Sequence, residues 1–176
     1  MDTLDIKRIL SSDRRTRYSF VDCAARDVFT RLLASVPGEG EWFYVFNTEY
    51  SGQGGEHWIA VRVDEKRVDF FDSYAQHPSV YPDVSRAMAV TGRKLSWNTS
   101  PVQGVMSTVC GDYCVLFCLL AARGWSMKSV GERLMTVEDS HERDHIVRLH
   151  LTETFGPYIT AADDLVGRDG VHVPFG

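Results

Sequence analysis

Two apolar stretches with alternating polarity predict an antiparallel β-hairpin in the middle of the chain. They cover His57–Val63 and Arg67–Ser73, and a tight turn at Asp64-Glu65 joins them. Side chains of a strand point alternately to opposite faces, so directly opposed residues share a face with Cβ atoms about 5 Å apart. The opposed pairs predicted for this turn are Val61 with Val68, Ile59 with Phe70 and His57 with Asp72. The hairpin thus places an imidazole beside a carboxylate at the end of an apolar strip, either as a catalytic pair or as a structural pair that caps the sheet edge.

Further helices and strands are predicted on both sides of this hairpin from apolar periodicity and from glycine and proline signals. The predicted helices cover 4–10, 21–34, 80–90, 110–123, 127–136 and 139–155, and the predicted strands cover 42–47 and 94–99. A loop at 101–109 precedes the long apolar helix that begins at Cys110, and the tail from Gly156 is predicted to be irregular. Strands in the middle of the chain with helices before and after them indicate an α+β fold. We expect one domain over residues 1–176, with a central mixed sheet flanked by helices.

Composition and charge argue against several other classes of protein. The 176 residues, of which 44% are apolar and 24% are charged, are enough to bury a core and are not disordered in composition. The longest apolar stretch, Tyr113–Ala122, is too short to cross a bilayer, and no secretory signal is visible at the N-terminus. The net charge of -5 argues against general nucleic-acid binding. Four cysteines without an export signal predict reduced thiols inside a cell.

Cys110 has the sequence surroundings expected of a reactive thiol. It lies where the loop becomes an apolar helix, and the amide groups and dipole of a helix N-terminus lower a thiol pKa. A nearby imidazole would lower the pKa further and form the ion pair of a Cys–His nucleophile. Gly111 would allow a substrate backbone to approach. The side-chain amide of Gln103 and the backbone N–H of Cys110 would together form an oxyanion hole.

The other cysteines are predicted to be structural. Cys114 and Cys118 follow Cys110 at four-residue steps on the core face of the same predicted helix, and Cys23 lies in an earlier predicted helical segment. Cysteines commonly act as small buried apolar residues. Metal binding by the three cysteines on one helix face is the alternative, but no fourth ligand is evident in the sequence.

A second motif, His-Glu-Arg-Asp-His at 141–145, matches the H-E-x-x-H signature of zinc proteases. In such a protease His141 and His145 would bind zinc, and Glu142 would be the general base. The charged residues in and around the motif instead indicate a solvent-exposed helix with ion pairs between residues four apart. No third ligand follows at the usual spacing, so the sequence predicts no metal site here.

The order of these residues resembles that of the adenovirus protease (adenain) family and of the related SUMO and ubiquitin-like proteases. The matching segments are Asn47-Thr48, Gly54-Gly55-Glu56-His57-Trp58, Phe71-Asp72, Gln103-Gly104, Cys110-Gly111 with Cys114, and Pro157-Tyr158. In this family the histidine and the acid come before the glutamine and the cysteine, whereas the cysteine comes first in papain. The resemblance is strongest over residues 42–125.

The resemblance implies a papain-like cysteine protease fold with its catalytic residues in the order His-Asp-Gln-Cys. His57 would be the general base, Asp72 its orienting partner, Gln103 the oxyanion donor and Cys110 the nucleophile. The implied function is that of a monomeric endopeptidase that cleaves viral structural precursor proteins at Gly-containing sites during virion maturation. Its location would be the virion and the nucleus or cytoplasm of the host cell. No cofactor is implied for the chemistry itself, although a viral peptide and DNA activate adenain.

The chain departs from the adenain pattern in three ways. Its acid is Asp72 where adenain usually has Glu, which resembles the SUMO-protease branch. No cysteine lies near Gly92 to anchor an activating peptide, and the acidic net charge does not favour activation by DNA. The alternative function is therefore an isopeptidase that removes SUMO, ubiquitin or a related modifier. A catalytically inactive binding module is a third alternative, which the retention of all four catalytic residue types argues against.

Overall fold

The strands form one five-stranded sheet with the same order in space as in the chain. The computed structural model describes residues 1–159. Its strands are β1 (Phe20–Ala25), β2 (Trp42–Asn47), β3 (Trp58–Val63), β4 (Arg67–Phe71) and β5 (Lys94–Trp97). The two outer pairs of strands are parallel and the two inner pairs are antiparallel. The predicted central mixed sheet is therefore confirmed.

Within residues 1–159, six α-helices cover both faces of this sheet. They are α1 (Thr3–Ser12), α2 (Arg26–Leu33), α3 (Pro82–Val90), α4 (Cys110–Ala121), α5 (Met127–Leu134) and α6 (Ser140–Phe155), with short 3₁₀ turns at Pro78–Val80 and Gly156–Tyr158. Helices α2 and α3 connect the two parallel strand pairs and pack on one face of the sheet, while α1, α4, α5 and α6 pack on the other. The predicted α+β architecture, with helices flanking the sheet, is confirmed.

Strand β2 is buried on both faces because helices cover both sides of the sheet there. Phe43 and Val45 face the core that contains α1 and α4, whereas Tyr44 and Phe46 face the core that contains α2 and α3. A strand with two buried faces is apolar throughout rather than alternating. Each fully buried aromatic or aliphatic side chain of this kind stabilises the fold by about 1.5–3 kcal/mol.

Helix α4 is the most completely buried helix, since all the residues of Cys110–Ala121 are buried. It packs against β3 in the core that it shares with α1, α5 and α6. Neither α4 nor any other helix in residues 1–159 has the length and apolar character needed to span a membrane. Cys110 is the first residue of α4 and lies where this core meets the loop at 101–109.

The hairpin of β3 and β4 forms with its turn one residue later than predicted. The turn residues are Glu65 and Lys66, and the N–H of Asp64 donates to the carbonyl oxygen of Arg67 at 2.9 Å. The side-chain Oδ1 of Asp64 accepts the N–H groups of Lys66 at 2.8 Å and Arg67 at 2.7 Å, which stabilises this turn. The observed opposed pairs are Ala60 with Phe71, Val61 with Phe70, Arg62 with Asp69 and Val63 with Val68. The predicted register is therefore wrong by two residues along β4, but an even shift keeps every side chain on its predicted face.

The predicted helix over 21–34 is wrong in its first part, because residues 20–25 form β1 and the helix begins at Arg26. Cys23, which was predicted to lie in a helix, is the buried residue of this strand. Strand β1 lies at the sheet edge and pairs in parallel with β2. Only one of its six residues is buried, and such a strand does not need alternating apolar and polar residues. The sequence therefore lacks the alternation from which a strand would be predicted.

Candidate active site

His57 and Asp72 meet at the end of the hairpin that lies away from its turn. His57 is one residue before β3 and Asp72 is one residue after β4. The Nε2 atom of His57 lies 2.8 Å from Oδ1 of Asp72. Asp72 is completely buried, and its Oδ1 also accepts the backbone N–H of Tyr74 at 2.8 Å. The structure brings the predicted pair together in spite of the shifted register, because both side chains remain on the same face.

Asn98, which no motif predicts, holds the backbone of Asp72 in place. The Oδ1 atom of Asn98 accepts the N–H of Asp72 at 2.9 Å, and its Nδ2 donates to the carbonyl oxygen of Asp72 at 2.7 Å. Asn98 directly follows β5, the parallel neighbour of β4, so the ends of both strands reach the same edge of the sheet. The only sequence signal for this contact is a polar residue at the end of a predicted strand.

The electrostatic surroundings of Cys110 and His57 shift their pKa values in opposite directions. Burial raises the pKa of the Cys110 thiol, but the contact with His57, the backbone N–H of Trp58, the charge of His57 and the backbone N–H of Gly111 together lower it below its usual value. Burial lowers the pKa of His57, but contacts with Asp72 and Cys110 and their negative charges raise it to about 9. These opposite shifts favour a thiolate–imidazolium pair over the neutral pair.

The two ring nitrogens of His57 have different surroundings. Nε2 is bound by Asp72, while Nδ1 is buried and has no hydrogen bond of ordinary geometry to the described part of the chain. The ring of Tyr74 packs beside the imidazole with a centroid distance of 5.0 Å. This arrangement leaves Nδ1 for proton exchange with the thiol of Cys110, which interacts with the same ring.

The N-terminal turn of α4 provides further stabilisation for an anion at the sulfur. Val109, at the N-cap position, makes no side-chain hydrogen bond to the helix, and the N–H of Gly111 in the first turn contacts the sulfur of Cys110. Asp112 in the same turn would oppose a thiolate, but it is completely buried and paired with Arg148. The Nε and Nη2 atoms of Arg148 lie 2.5 and 3.0 Å from the carboxylate oxygens of Asp112. This ion pair offsets the charge of Asp112.

Gly111 allows close packing within the protein. A Cβ atom at this position would lie 3.3 Å from Cδ1 of Trp58 and 3.3 Å from Cβ of Met1. Glycine therefore lets the indole ring of Trp58 approach the first turn of α4. The approach of a substrate backbone to Gly111 stays a prediction.

The amide of Gln103 is engaged in hydrogen bonds within the protein. The hydroxyl of Ser73 donates to Oε1 of Gln103 at 2.6 Å, which selects the end of the amide that carries the donor. The Nε2 atom donates to the carbonyl oxygen of Ser107 at 2.9 Å and to the hydroxyl of Tyr74 at 3.1 Å. The predicted donation into an oxyanion hole requires one of these two hydrogen bonds to be exchanged for one to a substrate oxygen.

The H-E-x-x-H motif lies on α6, but its proposed zinc ligands face outward. His141, Glu142 and His145 are exposed, whereas Arg143 and Asp144 between them are buried. The prediction of a solvated helix is therefore wrong for these two residues, which contact the loop before α4. Within residues 1–159, no group of three His, Cys, Asp or Glu side chains is placed to hold a metal ion.

Comparison with solved structures identifies the fold. The effector protein Cdu1 of Chlamydia trachomatis, solved bound to ubiquitin, aligns over 92% of this chain and 94% of its own length, with a TM-score of 0.64 and 12% identity. ChlaDub1 from the same organism aligns over 94% of this chain and 92% of its own, with a TM-score of 0.60 and 13% identity. This chain has the fold of Cdu1 and ChlaDub1. The predicted papain-like α+β fold is thereby confirmed.

Sequence comparison adds no assignment to this structural one, because no protein-family model and no curated protein matches the chain. The pS273R protease of ASFV aligns over 63% of this chain and 43% of its own, with 20% identity. Its TM-score of 0.41 is too low to bear on the fold.

Proposed function

We propose that this chain is a cysteine protease that cleaves after the C-terminal glycine of ubiquitin or of a ubiquitin-like modifier. The observation that carries the proposal is the arrangement of Cys110, His57 and Asp72, in which a thiol of lowered pKa and an imidazole of raised pKa interact at the start of α4. Opposed shifts of this kind are typical of Cys–His nucleophiles. Burial of a thiol without a histidine partner raises its pKa instead, as for Cys114, whose pKa lies well above its usual value.

The geometry supports a two-step hydrolysis. The thiolate of Cys110 attacks the carbonyl carbon of the last glycine, and the backbone N–H of Cys110 and the amide of Gln103 donate to the oxyanion that forms. The imidazolium of His57 then donates its proton to the leaving amine, which departs and leaves a thioester on Cys110. Neutral His57 next takes a proton from water, which attacks the thioester and releases the glycine carboxylate and the thiol. Asp72 orients the ring and supports its charge in both steps.

The choice of a folded modifier as substrate has two supports. One is the shared fold with Cdu1, which was solved bound to ubiquitin. The other is the tip of the loop between Gln103 and Cys110, where Val105 is 86% exposed and Met106 is 89% exposed. Adjacent exposed apolar side chains in the loop that leads to Cys110 suit contact with a folded partner. The prediction of cleavage of viral precursor proteins rests on the sequence motifs alone.

The test compares the wild type with Cys110→Ala on two kinds of substrate. One kind is ubiquitin or SUMO fused through its C-terminus to a reporter, and the other is a short peptide that contains a Leu-X-Gly-Gly site. We expect the wild type to cleave a fusion far more efficiently than the peptides, to resist chelators, and to lose activity in Cys110→Ala. Cleavage of peptides alone would favour the viral endopeptidase. Cleavage that persists in Cys110→Ala would rule out the proposed chemistry.

A further inference from the structure

Two consecutive residues of α6 hold the backbone on either side of Gln103. The Nε atom of Arg143 donates to the carbonyl oxygen of Val102 at 2.6 Å, and Oδ2 of Asp144 accepts the N–H of Gly104 at 3.1 Å. Arg143 and Asp144 are both buried. Hydrogen bonds between a charged side chain and the backbone are stronger than neutral ones. The segment that carries the oxyanion donor is therefore bound from both sides by one helix.

The same contacts extend to the helix that carries Cys110. The hydroxyl of Tyr113, on α4, lies 2.7 Å from Oδ1 of Asp144 and 2.9 Å from the carbonyl oxygen of Val102. It has one proton, which either acceptor can receive. Tyr113 is also buried, so the start of α4, the loop and α6 share one buried polar network. Such networks specify a single arrangement when their members are paired.

The close approach of α6 to the loop requires glycine at position 104. A Cβ atom there would lie 2.9 Å from Oδ2 of Asp144 and 3.3 Å from Oγ of Ser140. A contact below 3.0 Å would push the carboxylate away from the N–H that it accepts. Gly104 is buried in this position, so the carboxylate and the loop backbone are fitted to each other.

We propose that Arg143 and Asp144 are positioning residues for the oxyanion donor. They fix the backbone at 102–104 against Tyr113, and so set the position of the Gln103 amide relative to Cys110. A displacement of about 1 Å at such a distance from the chemistry can lower a rate by about 10²-fold. This role rests on the proposed protease function. It affects the stabilisation of the oxyanion and leaves the reactivity of the thiol unchanged.

The test compares Asp144→Ala with Glu142→Ala, which removes an exposed carboxylate from the same helix. On a ubiquitin–reporter fusion we expect kcat of Asp144→Ala to fall by about 10- to 10²-fold, while KM changes less than about threefold. Alkylation of Cys110 by iodoacetamide forms no oxyanion, so its rate should stay within about twofold of the control. A peptide aldehyde that ends in Gly-Gly forms an oxyanion adduct with the thiol, so its inhibition should weaken in parallel with kcat. Asp144→Asn keeps an acceptor oxygen and should recover part of the rate.

Each other outcome has a distinct meaning. If kcat of Asp144→Ala stays within about twofold of Glu142→Ala, the positioning role is wrong and the protease function stands. Equal losses of kcat and of alkylation rate would assign Asp144 to folding alone and overturn the positioning role. A wild type without Cys110-dependent cleavage would overturn both proposals. If Asp144→Ala does not fold, the positioning role is tested with Tyr113→Phe, which removes only a hydroxyl. A lowered ratio of kcat to alkylation rate in this variant supports the role. An unchanged ratio overturns it.

Discussion

The hydrogen bond between Asp72 and Nε2 of His57 gives the two nitrogens of the ring different tasks. Asp72 orients the imidazole and supports its positive charge, which leaves Nδ1 to exchange a proton with Cys110. Because the pKa of His57 is raised to about 9, the ring is protonated at neutral pH. In the mechanism that we propose, this is the proton that the leaving amine receives.

We expect the rate of hydrolysis to fall as pH rises through about 9, because His57 then loses this proton. The sign follows from the raised pKa, since the protonated ring persists below about 9 and is lost above it. Asp72→Asn removes the charge that supports the imidazolium, so the fall should begin at lower pH. At neutral pH, kcat/KM of this variant should be lower by about 10²- to 10⁴-fold. The measurement is the rate on a ubiquitin–reporter fusion across pH.

Glu65→Gln is the matched control for this experiment, because it neutralises an exposed carboxylate in the turn of the same hairpin. Its profile should follow the wild type. If the rate of Asp72→Asn falls at the same pH as the rate of the wild type, the assigned role of Asp72 is contradicted.

The residues of the candidate site differ in how far the sequence predicts them. The pairing of His57 with Asp72 follows from strand parity, and the place of Cys110 follows from a loop that leads into an apolar helix. The contacts of Asn98 with Asp72 and of Asp144 with Gly104 join residues 26 and 40 positions apart. No local period encodes such contacts, because they depend on how separate elements pack.

At the scale of the element, α4 combines an apolar body with a polar first turn. Asp112 is completely buried in that turn, and burial raises its pKa although Arg148 acts to lower it. An unpaired carboxylate there would both destabilise the helix and repel the thiolate of Cys110. The bidentate contact with Arg148 from α6 therefore supports both the fold and the site.

Arg148→Leu should lower the free energy of unfolding by about 3 kcal/mol, because it leaves the buried carboxylate of Asp112 unpaired. The estimate is at the low end for a buried pair, since the Arg148 side chain is 25% exposed. Urea unfolding measures the effect. Adding Asp112→Asn to this variant should recover part of the loss by removing the charge. Lys128→Leu breaks the exposed pair with Glu132 on α5 and should leave stability close to that of the wild type. Equal effects of Arg148→Leu and Lys128→Leu would contradict this account.

The exposed loop tip makes a prediction about substrate size. Replacing Val105 and Met106 together with Ser should raise KM for a ubiquitin–reporter fusion by about 10²-fold or more, since burial of each apolar side chain is worth about 1.5–3 kcal/mol. We expect a short peptide to bury less of the tip than a folded modifier does, so its kcat/KM should change less. Val90→Ser, which alters an equally apolar and 78% exposed residue on α3, is the control. A matching rise in KM for peptides would show that the tip acts on the site itself.

The two features that the sequence mispredicts have different physical causes, one a pairing with a distant strand and the other a local side-chain contact. Strand β1 exists because it pairs in parallel with β2, and its run of Cys23, Ala24 and Ala25 suits a helix equally well by propensity. The hairpin register depends on one local contact, the acceptance of two N–H groups by Asp64. Parity remained correct in the prediction because the turn kept its length of two residues.

On the scale of the whole molecule, the sheet separates two cores, and the thiols are divided between core and site. Cys23, Cys114 and Cys118 are free, are no more than 1% exposed, and have pKa values raised chiefly by burial. Cys110 is 8% exposed and has a lowered pKa. Cys110 is therefore the thiol that we expect to react in the folded protein, while burial protects the other three.

Iodoacetamide should label one thiol per native molecule at neutral pH, and all four in denaturant. The three core thiols should react slower by a factor on the order of 10³–10⁸, because their labelling requires unfolding. Mass spectrometry of the labelled protein counts the modified sites, and Cys110→Ala should remove the fast reaction. Fast labelling of a second thiol in the native protein would contradict the described core.

The order of the proposed catalytic residues along the chain has a consequence for biosynthesis. His57 and Asp72 are synthesised before Cys110, and the thiol meets them only when α4 packs against β3. In the proposed mechanism, a chain that ends before α4 therefore has the general base His57 but lacks the nucleophile Cys110. We expect such a product of interrupted translation to have no protease activity. The protease that we propose can therefore act only after α4 has been synthesised and has packed against the hairpin.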